Sequence, residues 1–183
     1  MKYEQTVRVK AGMPCLIRTA GGKDAEEVWN NFHLTHAQTD FLLSYPDENS
    51  FDVEQERQFL LRKEASENEV ELCAVMDGRI VGTAGIESLG SKEKIRHRAE
   101  FGVSIEKDWW NLGIGHALLA ACVDCARRAG YAQLELNVVS ENLHAISLYR
   151  RMGFVEYGRN PRGFRSRSTG WQELVLMRLE LEP

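Results

Sequence analysis

A chain of 183 residues, 43% hydrophobic and 27% charged, has room for one domain with a sizeable core and little more. No apolar run approaches the roughly 20 residues of a membrane span, and the opening Met1-Lys2-Tyr3-Glu4-Gln5-Thr6 lacks a signal peptide's apolar core, so the expected location is the cytoplasm. The net charge of −4 divides unevenly, with 9 Lys/Arg against 16 Asp/Glu in residues 1–90 and 14 against 11 in residues 91–183; this suits a cationic substrate on the first half and a phosphorylated cofactor on the second, although scattered solvated charge explains it as well, and a pI near 5.8 gives nucleic-acid binding no support.

Residues 1–13 read as an N-terminal arm, loose or an edge strand, ahead of a domain over 14–183. Cys15–Thr19 is a short strand candidate. Gly21-Gly22-Lys23-Asp24 then turns into a helix with Asp24 as N-cap and Glu27 three residues on. The stretch His33 to Asn49 has no clean period and reads as a long functional loop. Asp52 or Ser50 caps a second helix, about Val53 to Ser66. Glu71–Met76 and Arg79–Glu87 form a hairpin around Asp77-Gly78.

Ala99–Ile105 alternates as a strand does. After the run Trp109-Trp110-Asn111-Leu112-Gly113-Ile114-Gly115-His116, apolar residues at Ile114, Ala117, Leu118, Ala121, Cys122, Cys125 and Ala129 recur at helical spacing until Arg127-Arg128-Ala129-Gly130 closes the helix. Gln133–Val139 is the next strand, so the order implies a crossover. Ser140-Glu141-Asn142 opens a short helix ending at Met152-Gly153, and Phe154–Tyr157 is a strand. Arg159 to Arg167, with four arginines and a proline, reads as a mobile loop, and Glu173–Leu179 is the last strand. The four cysteines are too few and too scattered for a disulfide scaffold. Cys122-x-x-Cys125 lies inside a helix, on its apolar face, away from the N-terminal dipole that activates a redox thiol. It belongs to the core, and no metal site is expected.

Gly113 and Gly115 stand where a strand enters a helix N-terminus. There the first N–H groups lack intrahelical partners, the dipole is positive, and a missing Cβ admits a phosphate. Gly-x-Gly by itself is equally a tight strand-to-helix turn. It is no Walker loop, and Leu118 replaces the third glycine of a dinucleotide fingerprint.

Two blocks together carry a resemblance. Glu100-Phe-Gly-Val-Ser-Ile105 leads to Trp110-x-x-Gly113-x-Gly115 and a helix; Asn142-x-x-Ala145-x-x-x-Tyr149-x-x-x-Gly153-Phe154 follows one strand later. In this order they resemble the GNAT superfamily of acetyl-CoA-dependent N-acetyltransferases. One departure is Trp110, where the family usually has Gln or Arg. The resemblance implies a single α/β domain with a mixed, mostly antiparallel central sheet flanked by helices. It places the pyrophosphate of acetyl-CoA on Asn111, Leu112, Gly113, Ile114, Gly115 and His116, the pantetheine along Val103, Ser104 and Ile105, and further contacts at Asn142 and Tyr149. Asn142 is also a plain helix cap.

Tyr149 is the candidate general acid for a departing thiolate; the competing role is a packed tyrosine. Glu100, on the strand face of Gly102 and Ser104, is the first candidate base, and an ion pair with Arg96 or Arg98 is its alternative. Glu87 and Asp40 are weaker candidates, and His116 and His144 read as surface residues. The expected function is direct transfer of acetyl from acetyl-CoA to a primary amine. A small molecule is favoured over a protein terminus, and a non-catalytic acyl-CoA sensor is the rival. No nucleic-acid or membrane partner is expected, and a homodimer is compatible with the chain. Acceptor specificity is assigned to Asp40–Glu48 and Arg159–Arg167.

Overall fold

Asp77 and Gly78 both have positive φ, 51° and 81°. This two-residue turn matches the twist of the strands it joins, β3 (Val70–Met76) and β4 (Arg79–Ser88). Around this hairpin the computed structural model, which describes residues 1–181, builds an eight-stranded sheet. In chain order the other elements are β1 (Glu4–Arg8), β2 (Pro14–Thr19), α1 (Ala25–Gln38) and α2 (Val53–Ala65), which precede the hairpin. After it come β5 (Arg98–Ile105), α3 (Ile114–Arg128), β6 (Gln133–Val139), α4 (Leu143–Arg151), β7 (Val155–Ser166) and β8 (Gly170–Glu180). The strand order is β1-β2-β3-β4-β5-β6-β8-β7. Among the described residues only β5 and β6 pair in parallel, because α3 carries the chain back over the sheet between them.

Alternation along β3 divides the core. Leu72 and Ala74 face α3, with Phe101, Leu118, Cys122 and Met177 in the same cluster. Cys73 points the other way, to Ala25, Val28, Leu60 and Ile80 under α1 and α2. Cys122 and Cys125 are fully buried, and burial raises both thiols above their ordinary range. They pack.

Three local expectations are corrected. First, α1 runs on to Gln38, through about the first third of the stretch read as aperiodic. In its last two turns the buried residues are Asn31 and Thr35, so the inward face there is polar and leaves no apolar period. Second, Asp24 precedes α1 but its carboxylate does not cap it. It takes a two-pronged pair from Arg18, at 2.7 and 2.8 Å, while Glu27 accepts from the Ile80 N–H at 2.6 Å. Third, Arg159–Arg167 is no loop. Most of it is the second half of β7, paired with β8 through two irregularities, between Glu156 and Gly158 and between Asn160 and Phe164.

The sheet opens at its centre. β5 and β6 are in register only over Arg98–Glu100 and Gln133–Glu135. Beyond that point β6 stays with β8 and β5 stays with β4, so residues 101–105 present an unpaired backbone edge. From the first paired position Arg98 reaches Glu135 at the last and clasps it with two hydrogen bonds, Nε to Oε1 and, at 2.8 Å, Nη2 to Oε2.

Candidate active site

The glycine loop lies at the mouth of this opening. Asn111 and Gly113 both take left-handed backbone conformations, φ 61° and 93°, and Gly113 is the residue before α3. Ala117 N–H is the first to bond back, to the Gly113 carbonyl at 3.1 Å, so the N–H groups ahead of it point out of the helix start. A Cβ at Gly113 would meet nothing within 4 Å: the space in front of the loop is open. No acidic residue stands in the first turn of α3 to oppose an anion. At Gly115 a Cβ would touch Ile105 Cδ1 and Leu148 Cδ2 at 3.4 Å, which makes it the packing glycine of the pair. His116 is exposed.

Two contacts of this loop were invisible in the sequence. The indole N–H of Trp110 donates to the Ile105 carbonyl at 2.7 Å, so the residue that departs from the family pattern ties the loop to the end of β5. Lys10 N–H donates to the Leu112 carbonyl at 2.8 Å. With Arg8, Lys10 brings positive charge to a groove of about 630 Å³ that Asn111, Leu112, Gly113 and His116 also line.

Val103, Ser104 and Ile105 occupy the unpaired edge of β5, all half-buried. Asn142 caps α4, its Oδ1 accepting from Ala145 N–H at 3.3 Å. Tyr149, two residues before the end of α4, is 6% exposed and sits edge-on to Phe101 of β5 at 6.2 Å and beside Phe154 at 5.8 Å. Burial holds its phenol well above the ordinary range. No hydrogen bond reaches its hydroxyl among the described residues, although buried tyrosine hydroxyls usually find one.

Glu100 lies on the opposite face of β5 from Phe101, exposed, and accepts from Asn137 Nδ2 at 3.2 Å. The ion pair weighed for it is not formed among the described residues, since Arg98 is taken by Glu135. Tyr149 and Glu100 therefore approach the opening from its two sides.

The other carboxylates have separate tasks. Glu87 pairs with Lys63 at 2.8 Å. Asp40 receives Ser166 Oγ at 2.5 Å, Ser168 and Thr169 at 3.2 Å each and Tyr45 OH at 3.1 Å. Those donors, Ser166 first, hold its carboxyl below the usual carboxylate range. Arg167 adds an ion pair with Asp47 at 2.8 Å and lies over the Tyr45 ring. The two stretches expected to set specificity are thus bonded to each other. Among the described residues no three His, Cys, Asp or Glu side chains are grouped to hold a metal, and no helix is long and apolar enough to cross a membrane.

Comparison with known proteins places this geometry. The model of the acetyltransferase (GNAT) family matches residues 32–154. An acetyltransferase of the GNAT family from Streptococcus pneumoniae has a structure similar to this one, with a TM-score of 0.86 at 30% identity, covering 91% of this chain and 99% of that one. L-amino acid N-acetyltransferase AaaT of Escherichia coli is 31% identical over 85 residues, which are 46% of this chain and 52% of that protein. The [ribosomal protein bS18]-alanine N-acetyltransferase of the same organism is 31% identical over 81 residues, 44% and 54% of the two chains. The matched part is about half the length of each of these two curated relatives.

Proposed function

The chain belongs to the GNAT acetyltransferase family, and from that premise we propose that it moves an acetyl group from acetyl-CoA to the primary amine of a small molecule by direct attack. The observation that carries this reading is the divergence of β5 from β6 after Glu100 and Glu135, with an open N–H cradle at one end and a phenol without a partner at its side. The residues fit the cosubstrate. The space before Gly113 is clear, the helix start is free of acids, and β5 offers backbone groups along one edge.

When bound, acetyl-CoA supplies an activated acyl group with a thiolate as leaving group. Asn111 to His116 would hold its pyrophosphate through backbone N–H groups and the helix dipole. Trp110 cannot grip phosphate with a charge; its hydrogen bond keeps the cradle against β5 instead. Val103 to Ile105 would orient the pantetheine through main-chain hydrogen bonds. Tyr149 keeps its proton across the physiological range because burial disfavours the phenolate, so it acts as a donor toward the departing sulfur. Glu100, on the other face, takes the proton of the incoming ammonium directly or through water.

The cradle alone would serve a sensor equally, but a buried phenol with no bond to make and a solvent-facing carboxylate on opposite sides of one opening favour an enzyme. An open amine screen with thiol release as the readout tests the reading. Turnover of small primary amines is expected; acetyl-CoA binding with no turnover of any amine would leave the sensor.

A further inference from the structure

The sheet face beneath α2 carries a cluster that acyl transfer as described leaves unused. Glu71 of β3, Gly85 of β4 and Gly102 of β5 stand in register across three strands and so share one face. A Cβ at Gly85 would collide with the Glu71 carboxylate, whereas one at Gly102 would meet nothing within 4 Å. The Glu71 side chain therefore lies folded over Gly85, beside an open floor at Gly102. Thr83, Glu87, Glu100 and Ser104 border that floor by strand alternation.

From above, α2 turns Glu56, Leu60 and Lys63 inward. Lys63 is already committed, with Glu87 at 2.8 Å and Glu69 at 3.4 Å. Glu56 is only 8% exposed, and among the described residues its carboxylate has no hydrogen-bond or ion-pair partner. Burial raises it above the ordinary carboxyl range. Glu71 is pushed up to about 7, chiefly by burial, with Glu56 and Glu87 adding to the rise and Lys63 and Thr83 opposing it. Two desolvated carboxyls with no cation in contact cost stability. A cation arriving from solvent would offset that cost.

We propose that Glu56 and Glu71 seat a second cationic group of the acceptor, so that the preferred substrates are amines bearing an additional ammonium, such as α,ω-diamines. This rests on the acyl-transfer reading above. Adjacent strands are about 4.8 Å apart, which puts the seat roughly 5–10 Å from the open edge of β5, the reach of a short diamine whose other end lies at the opening. Asp40 is engaged by the hydroxyls of Ser166, Ser168, Thr169 and Tyr45 and Arg167 by Asp47, whereas Glu56 and Glu71 have no ion-pair partner among the described residues.

Calorimetry of 1,4-diaminobutane against 1-aminobutane, with the protein saturated by coenzyme A, tests the seat without turnover. The diamine is expected to bind at least tenfold more tightly, the factor that separates one well-formed charged contact from none. Because an ammonium favours ionised Glu71, binding at pH 7 should release about half a proton, read from the dependence of heat on buffer. Glu71→Gln and Glu56→Gln, checked for unchanged melting, should each shrink the preference, and Glu71→Gln should abolish the proton release. Equal binding of the two amines, or a preference for the diamine that survives both Glu71→Gln and Glu56→Gln, overturns the seat. The turnover screen is independent: monoamines and diamines acetylated alike sink the seat and keep the transferase, whereas diamine binding without acetylation of any amine keeps the seat and sinks the transferase.

Discussion

The side-chain amide of Asn137 donates to Glu100 at 3.2 Å across the point where β5 and β6 part. The bond engages one carboxylate oxygen, Oε1, of an exposed residue. It also explains how a solvent-side glutamate is held in one place without an arginine.

Glu100→Gln keeps the shape and the Asn137 contact while removing the proton acceptor. The expected result is a lower kcat/KM and loss of the acidic limb of its pH profile, with melting unchanged. An acidic limb that survives would assign the proton to solvent or to another group.

Tyr149→Phe removes one oxygen from a side chain otherwise held by Phe101 and Phe154. If the phenol protonates the leaving sulfur, kcat should fall by about 10²–10⁴-fold while acetyl-CoA affinity stays within a few-fold. An unchanged kcat would make Tyr149 a packing residue.

At the loop, Gly113→Asp should weaken acetyl-CoA binding by roughly tenfold or more, about 1.4 kcal/mol per factor of ten. Part of that is charge and part is strain at φ 93°. Gly113→Asn carries similar strain without the charge, so calorimetry of both variants separates the two. Equal affinity in all three proteins would remove the cradle.

The Arg98–Glu135 clasp predicts a pH dependence of stability. Arg98 holds the Glu135 carboxyl below its ordinary value, and burial opposes this. The folded pKa is thus depressed. The stabilisation is complete above the unfolded glutamate value of about 4.3 and is lost as pH falls through the folded value. Glu135→Gln should cost about 1–2 kcal/mol at pH 7 once screening at the partly exposed Arg98 is allowed for. That is roughly 2–8 °C in Tm, and the gap to wild type should close in strong acid. A gap that is constant with pH would trace the loss to packing.

What the sequence discloses is what is local. The type I′ turn at Asp77-Gly78, the cap at Asn142, the helix begun after Gly113 and the buried faces of α3 and β3 each follow from neighbours a few residues away. Where burial is polar, the signal vanishes: α1 reaches Gln38 because Asn31 and Thr35 face the sheet, the Asn31 amide donating to Glu106 at 3.0 Å, and neither looks like a core residue. The second half of β7 reads as a loop for the opposite reason. It lies at the sheet's edge with nearly all of its residues exposed or half-exposed, so its arginines show no alternation. The contacts of Asp40 with Ser166, 126 residues away, and of Glu71 with Gly85 are products of topology and have no signature in the chain.

The bonds that converge on Asp40 have a consequence for engineering. The segment after α1 and the end of the β7–β8 hairpin share one carboxylate, so neither has a conformation of its own to transplant. A graft that exchanges either segment has to carry residues 39–49 and 166–172 together; exchanging one alone would strand an aspartate without its hydroxyls, or hydroxyls without their aspartate.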